Sequence, residues 1–168
     1  MNLYIVQATS EIDFLVKLLS TEKSEYEILS WSYSVSEDLN SLGLKNETIE
    51  KYINEKTYHK ISEEGWKFAH KWPDLLDKEN FAKSKIKISD IDFHWNMYLF
   101  TIVIEFIRII NSILEQKKNV YQNIYISNGC IINDSVNCNW ANELSLKVRY
   151  FILKDIVREK KINVKSIE

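Results

Sequence analysis

The stretch that decides the fold runs from Ser89 to Gln116 and reads SDIDFHWNMYLFTIVIEFIRIINSILEQ. Ser89 is a suitable N-cap residue, and Asp92 follows it at the spacing of a capping box. Apolar side chains occupy nearly every face of a helix over this stretch, so we expect one long helix that is buried on most sides. Glu105 and Arg108 lie three residues apart in it, and we expect them to form an ion pair with each other.

The same helix contains the one candidate in the sequence for a membrane span, from Met97 to Leu114. Two charged residues near its centre would each cost roughly 2.5–3.5 kcal/mol in a bilayer on insertion scales. A buried core helix is therefore the better interpretation, and we expect no transmembrane segment. The N-terminus lacks the basic and apolar regions of a secretory signal, so we expect a cytoplasmic location.

Short apolar runs on both sides of this helix predict strands, and helical patterns separate them. The predicted strands, apart from one at Tyr26–Ser36, are Leu3–Val6, Asn123–Ser127 and Asn163–Ile167. A helix capped by Ser10 follows the first, with its apolar face at Phe14, Leu15, Leu18 and Leu19. Because strands alternate with helices, we expect parallel strands joined by right-handed crossovers. The fold class predicted is a single α/β domain over residues 1–168, Rossmann-like, with a mostly parallel sheet and flanking helices.

The last predicted helix, Asn142–Lys160, has an apolar and a basic stripe. The apolar stripe consists of Leu144, Val148, Ile152 and Ile156, widened by Phe151 and Leu153. The basic stripe consists of Lys147, Lys154, Arg158 and Lys161. A solvated helix face is typical of such a pattern, and the alternative is peripheral contact with a membrane surface or an acidic partner.

Between Tyr26 and Ser36, apolar residues alternate strictly with serines, which predicts a strand with one polar face. That face consists of Ser30, Ser32, Ser34 and Ser36. A parallel strand covered on both sides would be apolar throughout, so we expect the outer half of this one to have a solvated face. It would lie at a sheet edge or line a cleft, where the hydroxyls would contact a polar ligand.

A helical insertion is predicted over residues 37–87, where the alternation of strands and helices stops. Asn46 would cap one helix, from Glu47 to about Lys56, and Ser62 would cap another that ends at Trp72, before Pro73. The insertion is rich in aromatic residues, namely Tyr52, Tyr58, Trp66, Phe68 and Trp72.

The loops that follow the predicted strands are rich in small polar residues. Ligands of parallel sheets bind beyond the carboxyl ends of the strands. We therefore predict a group of hydrogen-bonding ligands that consists of Thr9, Ser10, Ser32, Ser34, Asn128 and Asp134. Hydroxyl and amide groups suit a neutral, hydroxylated ligand such as a sugar, and the alternative is that they cap helices. The helix after Ser10 would also offer backbone N–H groups to an anion.

The composition excludes several classes of function. A formal net charge of −2 gives no electrostatic footprint for nucleic acid, and three glycines leave no room for a Gly-rich phosphate loop. Cys130 and Cys138 do not have zinc-site spacing, so we expect reduced thiols, no metal and no cofactor. The carboxylates considered for acid–base chemistry are Glu11, Asp13, Glu63 and Asp134, and the sequence does not choose a catalytic residue among them.

The order of elements resembles the N-terminal, acceptor-side Rossmann-like domain of GT-B glycosyltransferases. Phe106–Ile167 is the most similar part, with a long helix, then Asn-Ile-Tyr-Ile-Ser-Asn-Gly, then a helix and a final strand. In this arrangement it is similar to bacterial enzymes of surface-polysaccharide biosynthesis. The Gly-rich turn often found after the first strand of that family is here Gln-Ala-Thr-Ser, residues 7–10.

The resemblance implies a domain that binds a sugar or glycan acceptor at the carboxyl ends of its strands. A second, nucleotide-sugar-binding domain would hold the donor, so we expect the chain to be a fragment that is not competent for turnover alone. The alternative is a non-enzymatic α/β interaction module that uses the aromatic helical insertion. A small-molecule enzyme with an unrecognised site is the third hypothesis.

Overall fold

The computed structural model describes residues 1–79, 93–117, 120–129 and 140–167, without the side chains of residues 72–79, 93–96 and 140–145. The strands in these ranges are β1 (Asn2–Val6), β2 (Tyr26–Ser30), β3 (Glu47–Thr48), β4 (Asn123–Ile126) and β5 (Asn163–Ser166). The helices are α1 (Ile12–Thr21), α2 (Tyr33–Ser41), α3 (Glu55–Glu79), α4 (Phe93–Gln116) and α5 (Trp140–Val157).

The five strands form one sheet in the order β3-β2-β1-β4-β5, and every neighbouring pair is parallel. In the register, Tyr4 of β1 pairs with Ile28 of β2 and with Tyr125 of β4. All five residues of β1 are buried, as expected for the central strand of a sheet covered on both faces. The predicted fold class, an α/β fold with a Rossmann-like parallel sheet, is therefore confirmed.

Helices α1 and α2 cover one face of this sheet. The buried cluster there consists of Tyr4, Val6, Ile12, Leu15, Ile28, Val35 and Leu39. Of the predicted apolar face of α1, Leu15 is buried and Leu18 and Leu19 pack partly buried against the cluster, whereas Phe14 is exposed. The apolar residues that recur every three to four positions therefore fix α1 on the sheet.

The chain divides into two compact units, which we call the sheet unit (Met1–Ile53 with Ile109–Glu168) and the helical unit (Asn54–Arg108). In the helical unit α3 and the first part of α4 pack closely at Gly65. A Cβ atom on Gly65 would lie 2.3 Å from Thr101 Oγ1, so only glycine fits there without movement. The predicted ion pair between Glu105 and Arg108 is wrong, because each of these residues binds a partner on α3, at Tyr58 and Glu64 respectively.

Helix α4 confirms the predicted long helix, although Ser89–Asp92 lie outside the described residues. Its fully buried side chains form one stripe, Ile102, Phe106, Ile109, Ile110, Ile113 and Leu114. The expectation of burial on most sides is wrong, since 33% of the most apolar window is buried. Among the described residues, Met97–Gln116 is the one helical segment long and apolar enough to cross a membrane, by length and composition alone.

The strand predicted over Tyr26–Ser36 ends at Ser30, and α2 begins at Tyr33. Ser32 is the N-cap of α2, because its Oγ accepts a hydrogen bond from the backbone N–H of Val35 at 3.4 Å. The alternation of apolar and polar residues is thus shared between a strand and the first turn of a helix. When a strand is followed closely by a helix, an alternation of apolar and polar residues over so short a stretch does not show where the strand ends and the helix begins.

Asn46 does not cap a helix. Its Oδ1 accepts hydrogen bonds from the buried hydroxyls of Ser30 and Ser36, at 2.9 and 2.8 Å, and β3 follows it directly. Helix α3 begins later, at Glu55, where Asn54 Oδ1 accepts from the backbone N–H of Thr57 at 2.9 Å, and it continues through Pro73 to Glu79. A strand therefore lies inside the segment predicted to be helical.

Helix α5 buries Leu153 of the predicted apolar face, but Phe151 is exposed and the rest of the buried face differs from the prediction. Its buried side chains are Leu146, Arg149, Leu153 and Val157, whereas Val148, Ile152 and Ile156 are half-buried. The two stripes differ by about one residue, or 100° around the helix. Both have helical spacing, so the choice between them depends on how the helix packs in the folded chain.

Candidate functional site

The candidate site lies where the chain connections diverge from the β1–β4 pair. From β1 the chain passes through α1 to β2 on one side, and from β4 it passes through α5 to β5 on the other. In open α/β sheets, ligands bind at such a switch point, beyond the carboxyl ends of the strands. Here the first residues past those ends are Gln7 after β1 and Ser127 after β4.

Glu11 is the buried carboxylate of this site. Its side chain is folded back so that Oε2 accepts a hydrogen bond from the backbone N–H of Gln7 at 2.8 Å, and the residue is 1% exposed. The turn that carries it is a single 3-10 turn, Thr9–Glu11, ahead of α1. A carboxylate therefore already occupies a position at the β1–α1 turn where we expected an external anion to bind.

Arg149 approaches the same point from α5. Its Nη1 donates a hydrogen bond to Gln7 Oε1 at 3.0 Å, and its guanidinium lies 4.6 Å from the centre of the Trp31 ring. Arg149 and Trp31 are each 8% exposed. Stacking on an aromatic face satisfies a guanidinium that water no longer solvates, so Trp31 holds Arg149 in place. Trp31 is itself fixed, because its backbone N–H donates to Val6 O at 2.8 Å.

At the end of β4, Ser127 is fully buried and its Oγ accepts a hydrogen bond from the backbone N–H of Gly129 at 3.0 Å. Gly129 has a positive φ of 86°, which this tight turn requires and a side chain would oppose. Asn128, between them, is half-buried. Residues 127–129 at the polar edge of the site thus form a tight turn that a side-chain hydrogen bond closes.

The predicted ligand residues divide into three groups. Thr9 and Ser10 lie in the 3-10 turn after β1, and both are exposed. Ser32 and Ser34 lie at the start of α2, with their hydroxyl oxygens 3.1 Å apart. Asn128 is in the turn after β4, and Asp134 lies outside the described residues. The polar face of a strand predicted for Ser32 and Ser34 is wrong, since both belong to a helix start.

From the sequence, Glu11 was only one of several candidate carboxylates. Gln7 lay in a loop expected to bind the ligand, but no ligand role was predicted for Gln7, Trp31 or Arg149. A signal for Arg149 was present in the sequence. It follows Leu146 by three residues and precedes Leu153 by four, so it lies on an apolar helix face where an unpaired cation is costly. Of the other carboxylates considered, Asp13 and Glu63 are exposed.

A second polar cluster, near the amino end of β1, contrasts with this site. Glu22 accepts hydrogen bonds from the backbone N–H of Ser24 and from the hydroxyl of Tyr4, and these bonds lower its pKa from 4.5 to about 2. Burial and the adjacent Glu22 carboxylate raise the pKa of Tyr4. These groups are hydrogen-bonded to one another and lie away from the ligand-binding end of the sheet, so we assign them a structural role.

The described residues contain no group of three or more His, Cys, Asp or Glu side chains arranged to hold a metal ion. His70, in the helical unit, packs against Trp66 with ring centres 3.9 Å apart and the rings tilted by 45°, and its Nδ1 lies 3.0 Å from Trp66 O. Comparison of the chain with protein-family models, curated proteins and solved structures gives no match.

Proposed function

We propose that this chain is the acceptor-side domain of a glycosyltransferase-like protein and binds a sugar or glycan acceptor beyond the carboxyl ends of β1 and β4. The observation that carries the proposal is the convergence of Gln7, Glu11 and Arg149 at the switch point of an all-parallel sheet. Arg149 holds the side-chain amide of Gln7 and Glu11 holds its backbone N–H, and a small number of precisely placed polar groups is what fixes the orientation of a bound small molecule.

The surrounding surface supports the same class of ligand. Thr9, Ser10, Ser32, Ser34 and Asn128 would supply further hydroxyl and amide contacts around the buried core of the site. A second domain that binds a nucleotide sugar would have to supply the donor, so this chain alone should bind an acceptor without turnover. The exposed basic residues Lys154, on α5, and Arg158, in the 3-10 turn after it, would allow peripheral contact with an anionic membrane that carries a lipid-linked acceptor.

Saturation-transfer NMR with a panel of methyl glycosides tests this proposal. We expect binding by the wild-type chain and a loss of at least tenfold in affinity for Arg149→Met. Arg158→Met is the matched control, since it removes an arginine from the 3-10 turn directly after the same helix, at a position that is 78% exposed. Each variant is first checked by its thermal melt. The proposal is wrong if no glycoside binds, or if the folded Arg149→Met variant binds as well as the control.

The second candidate function, a protein-interaction module, is favoured by the exposed aromatics of the helical unit. Trp66 is 50% exposed and Phe68 is 55% exposed, and Tyr58 is also exposed. Trp66 and Met97 line an open groove of about 550 Å³ together with Ser62, Glu63 and Lys67. Tyr52 does not contribute, because its hydroxyl donates to Glu47, and the side chain of Trp72 lies outside the described residues.

Sedimentation velocity over a range of concentrations tests this alternative with a second copy as the partner. We expect a Trp66→Ala, Phe68→Ala variant to lose any self-association. A Tyr33→Ala, Phe151→Ala variant is the control, since it removes two aromatics of the sheet unit that are more exposed, at 71% and 63%. If both variants and the wild-type chain sediment as the same monomer, self-association through these aromatics is excluded.

A further inference from the structure

Two amide side chains lie at the two ends of β1, and only one of them is fully hydrogen-bonded. At the amino end, Asn2 Nδ2 donates to Glu22 Oε2 at 2.6 Å, and Asn2 Oδ1 accepts from Asn123 Nδ2 at 2.8 Å. Both halves of this buried amide therefore have a partner, as is usual for amides that only stabilise a fold.

At the carboxyl end, Gln7 has a partner for its oxygen and none for its nitrogen. Gln7 Oε1 accepts from Arg149 Nη1 at 3.0 Å. Guanidinium nitrogens can only donate, so this bond fixes which end of the amide is the oxygen. Gln7 Nε2 is then buried as a donor, and within the part of the chain that the structure describes it has no hydrogen-bond partner. Leaving a buried donor unsatisfied costs stability, so the arrangement needs an explanation.

The position of Gln7 is fixed by its backbone as well as by its side chain. Its backbone N–H donates to Glu11 Oε2, while Arg149, stacked on Trp31, holds its amide oxygen. The free donor is thus oriented before a ligand arrives, at the switch point where ligands of this class of sheet bind. A site built to hydrogen-bond a ligand oxygen discriminates strongly against analogues that lack it.

We propose that Gln7 Nε2 donates a hydrogen bond to an uncharged oxygen of the bound ligand, such as a hydroxyl, ring or carbonyl oxygen. This inference rests on the proposed function, in that the ligand enters at this edge of the sheet. Arg149 is a positioning residue that acts through Gln7. Glu11 and Arg149, the two buried charged residues hydrogen-bonded to Gln7, have opposite charges, so together they carry no net charge to attract an anion.

The side-chain amide signals in a ¹⁵N–¹H spectrum test this inference directly. The Gln7 signal is assigned by its absence in Gln7→Met and Gln7→Glu variants. With the same methyl glycosides, we expect the Gln7 amide to shift on binding and the Asn2 amide, at the far end of the strand, to stay unchanged. Gln7→Met should weaken binding at least tenfold. Gln7→Glu retains an oxygen for Arg149 and replaces the donor, so it gives the same test if Gln7→Met does not fold.

The outcomes separate this inference from the proposed function. If glycosides bind equally to wild type and both variants, and the Gln7 signal does not move, the inference is overturned and sugar binding stands. If no glycoside binds, the sugar proposal fails. The inference is then tested by adding N-methylacetamide or dimethyl sulfoxide, two neutral compounds with an acceptor oxygen, and observing the Gln7 amide signal. A shift of the Gln7 signal by either supports it. No shift, or a shift caused by inorganic phosphate alone, overturns it.

Discussion

The guanidinium of Arg108 on α4 binds both carboxylate oxygens of Glu64 on α3, with Nη2 at 2.6 and 2.7 Å from them. The two residues are 44 positions apart in the sequence. Glu105, the partner expected from the sequence, instead accepts a hydrogen bond from the hydroxyl of Tyr58 at 2.7 Å. Glu105 and Arg108 are therefore both bound by residues of α3, and they join the two helices of the helical unit.

The Arg108–Glu64 pair should contribute modestly to stability, because both side chains are more than a third exposed, at 38% and 37%. We expect a double-mutant cycle with Arg108→Met and Glu64→Gln to give a coupling free energy of about 0.2–1 kcal/mol. Arg158→Met with Asp155→Asn, a pair that is 78% and 70% exposed, is the control with the smaller coupling. Measured coupling of 3 kcal/mol or more would instead indicate a buried ion pair.

Gly65→Ala should destabilise the helical unit, although alanine favours helix formation over glycine by about 1 kcal/mol. The new Cβ would lie 2.3 Å from Thr101 Oγ1, which is held by a hydrogen bond to Met97 O. We expect a net loss of about 1–3 kcal/mol in denaturant unfolding, as for other overpacked contacts. Adding Thr101→Ala should recover part of that loss. Ser62→Ala, on an exposed turn of α3, should cost less than about 0.5 kcal/mol.

Asn46→Ala should destabilise the sheet unit by about 1–3 kcal/mol, because it leaves the buried hydroxyls of Ser30 and Ser36 without their shared acceptor. The unfolding free energy from a urea titration measures this loss. Removing the hydroxyl of Ser36 as well, in an Asn46→Ala, Ser36→Ala variant, should recover part of it. If Asn46→Ala were as stable as the wild type, Ser30 and Ser36 would not have a structural role and would again be candidate ligand-binding residues.

Glu22 should make stability depend on pH between about 4.5 and 2. Its pKa is lowered to about 2 in the folded chain, chiefly by the backbone N–H of Ser24 and the hydroxyl of Tyr4. A carboxyl with a depressed folded pKa binds its proton more readily when unfolded, so its stabilisation is present above pH 4.5 and is lost as the pH falls toward 2.

The measurement is the unfolding free energy of wild type and Glu22→Gln from pH 6 down to pH 2. The difference between them should be largest at the upper end and shrink as the pH falls. Glu25→Gln is the control for the loss of one negative charge in the same turn. A difference between wild type and Glu22→Gln that is constant with pH would contradict this account.

The sequence was a good guide wherever structure depends on neighbours along the chain. The apolar residues of β1, β4 and β5 and the periodicity of α1 and α4 follow from local patterns, and so does the parallel arrangement that their order implies. The missed strand, β3, has two residues and pairs only Glu47 with Leu29 and Thr48 with Ser30. A strand of two residues is too short to show a periodic pattern in the sequence, and it forms because the backbone of β2 pairs with it.

The sequence predicted which loops form the candidate site but not which side chains meet there. The loops that meet at the carboxyl ends of β1 and β4 were predictable, because parallel strands end at one edge. Arg149 reaches Gln7 across 142 positions, and its placement depends on which of two apolar stripes α5 buries.

Local sequence patterns were thus enough to identify β1, β4 and β5 and the helices α1, α4 and α5, since hydrogen bonds within a helix and the period of a strand are local. Only the tertiary structure decided which face of α5 is buried, which hydroxyls are structural and which partner Arg108 binds. Those outcomes depend on contacts between residues far apart in the chain, whose free energies differ by a few kcal/mol at most.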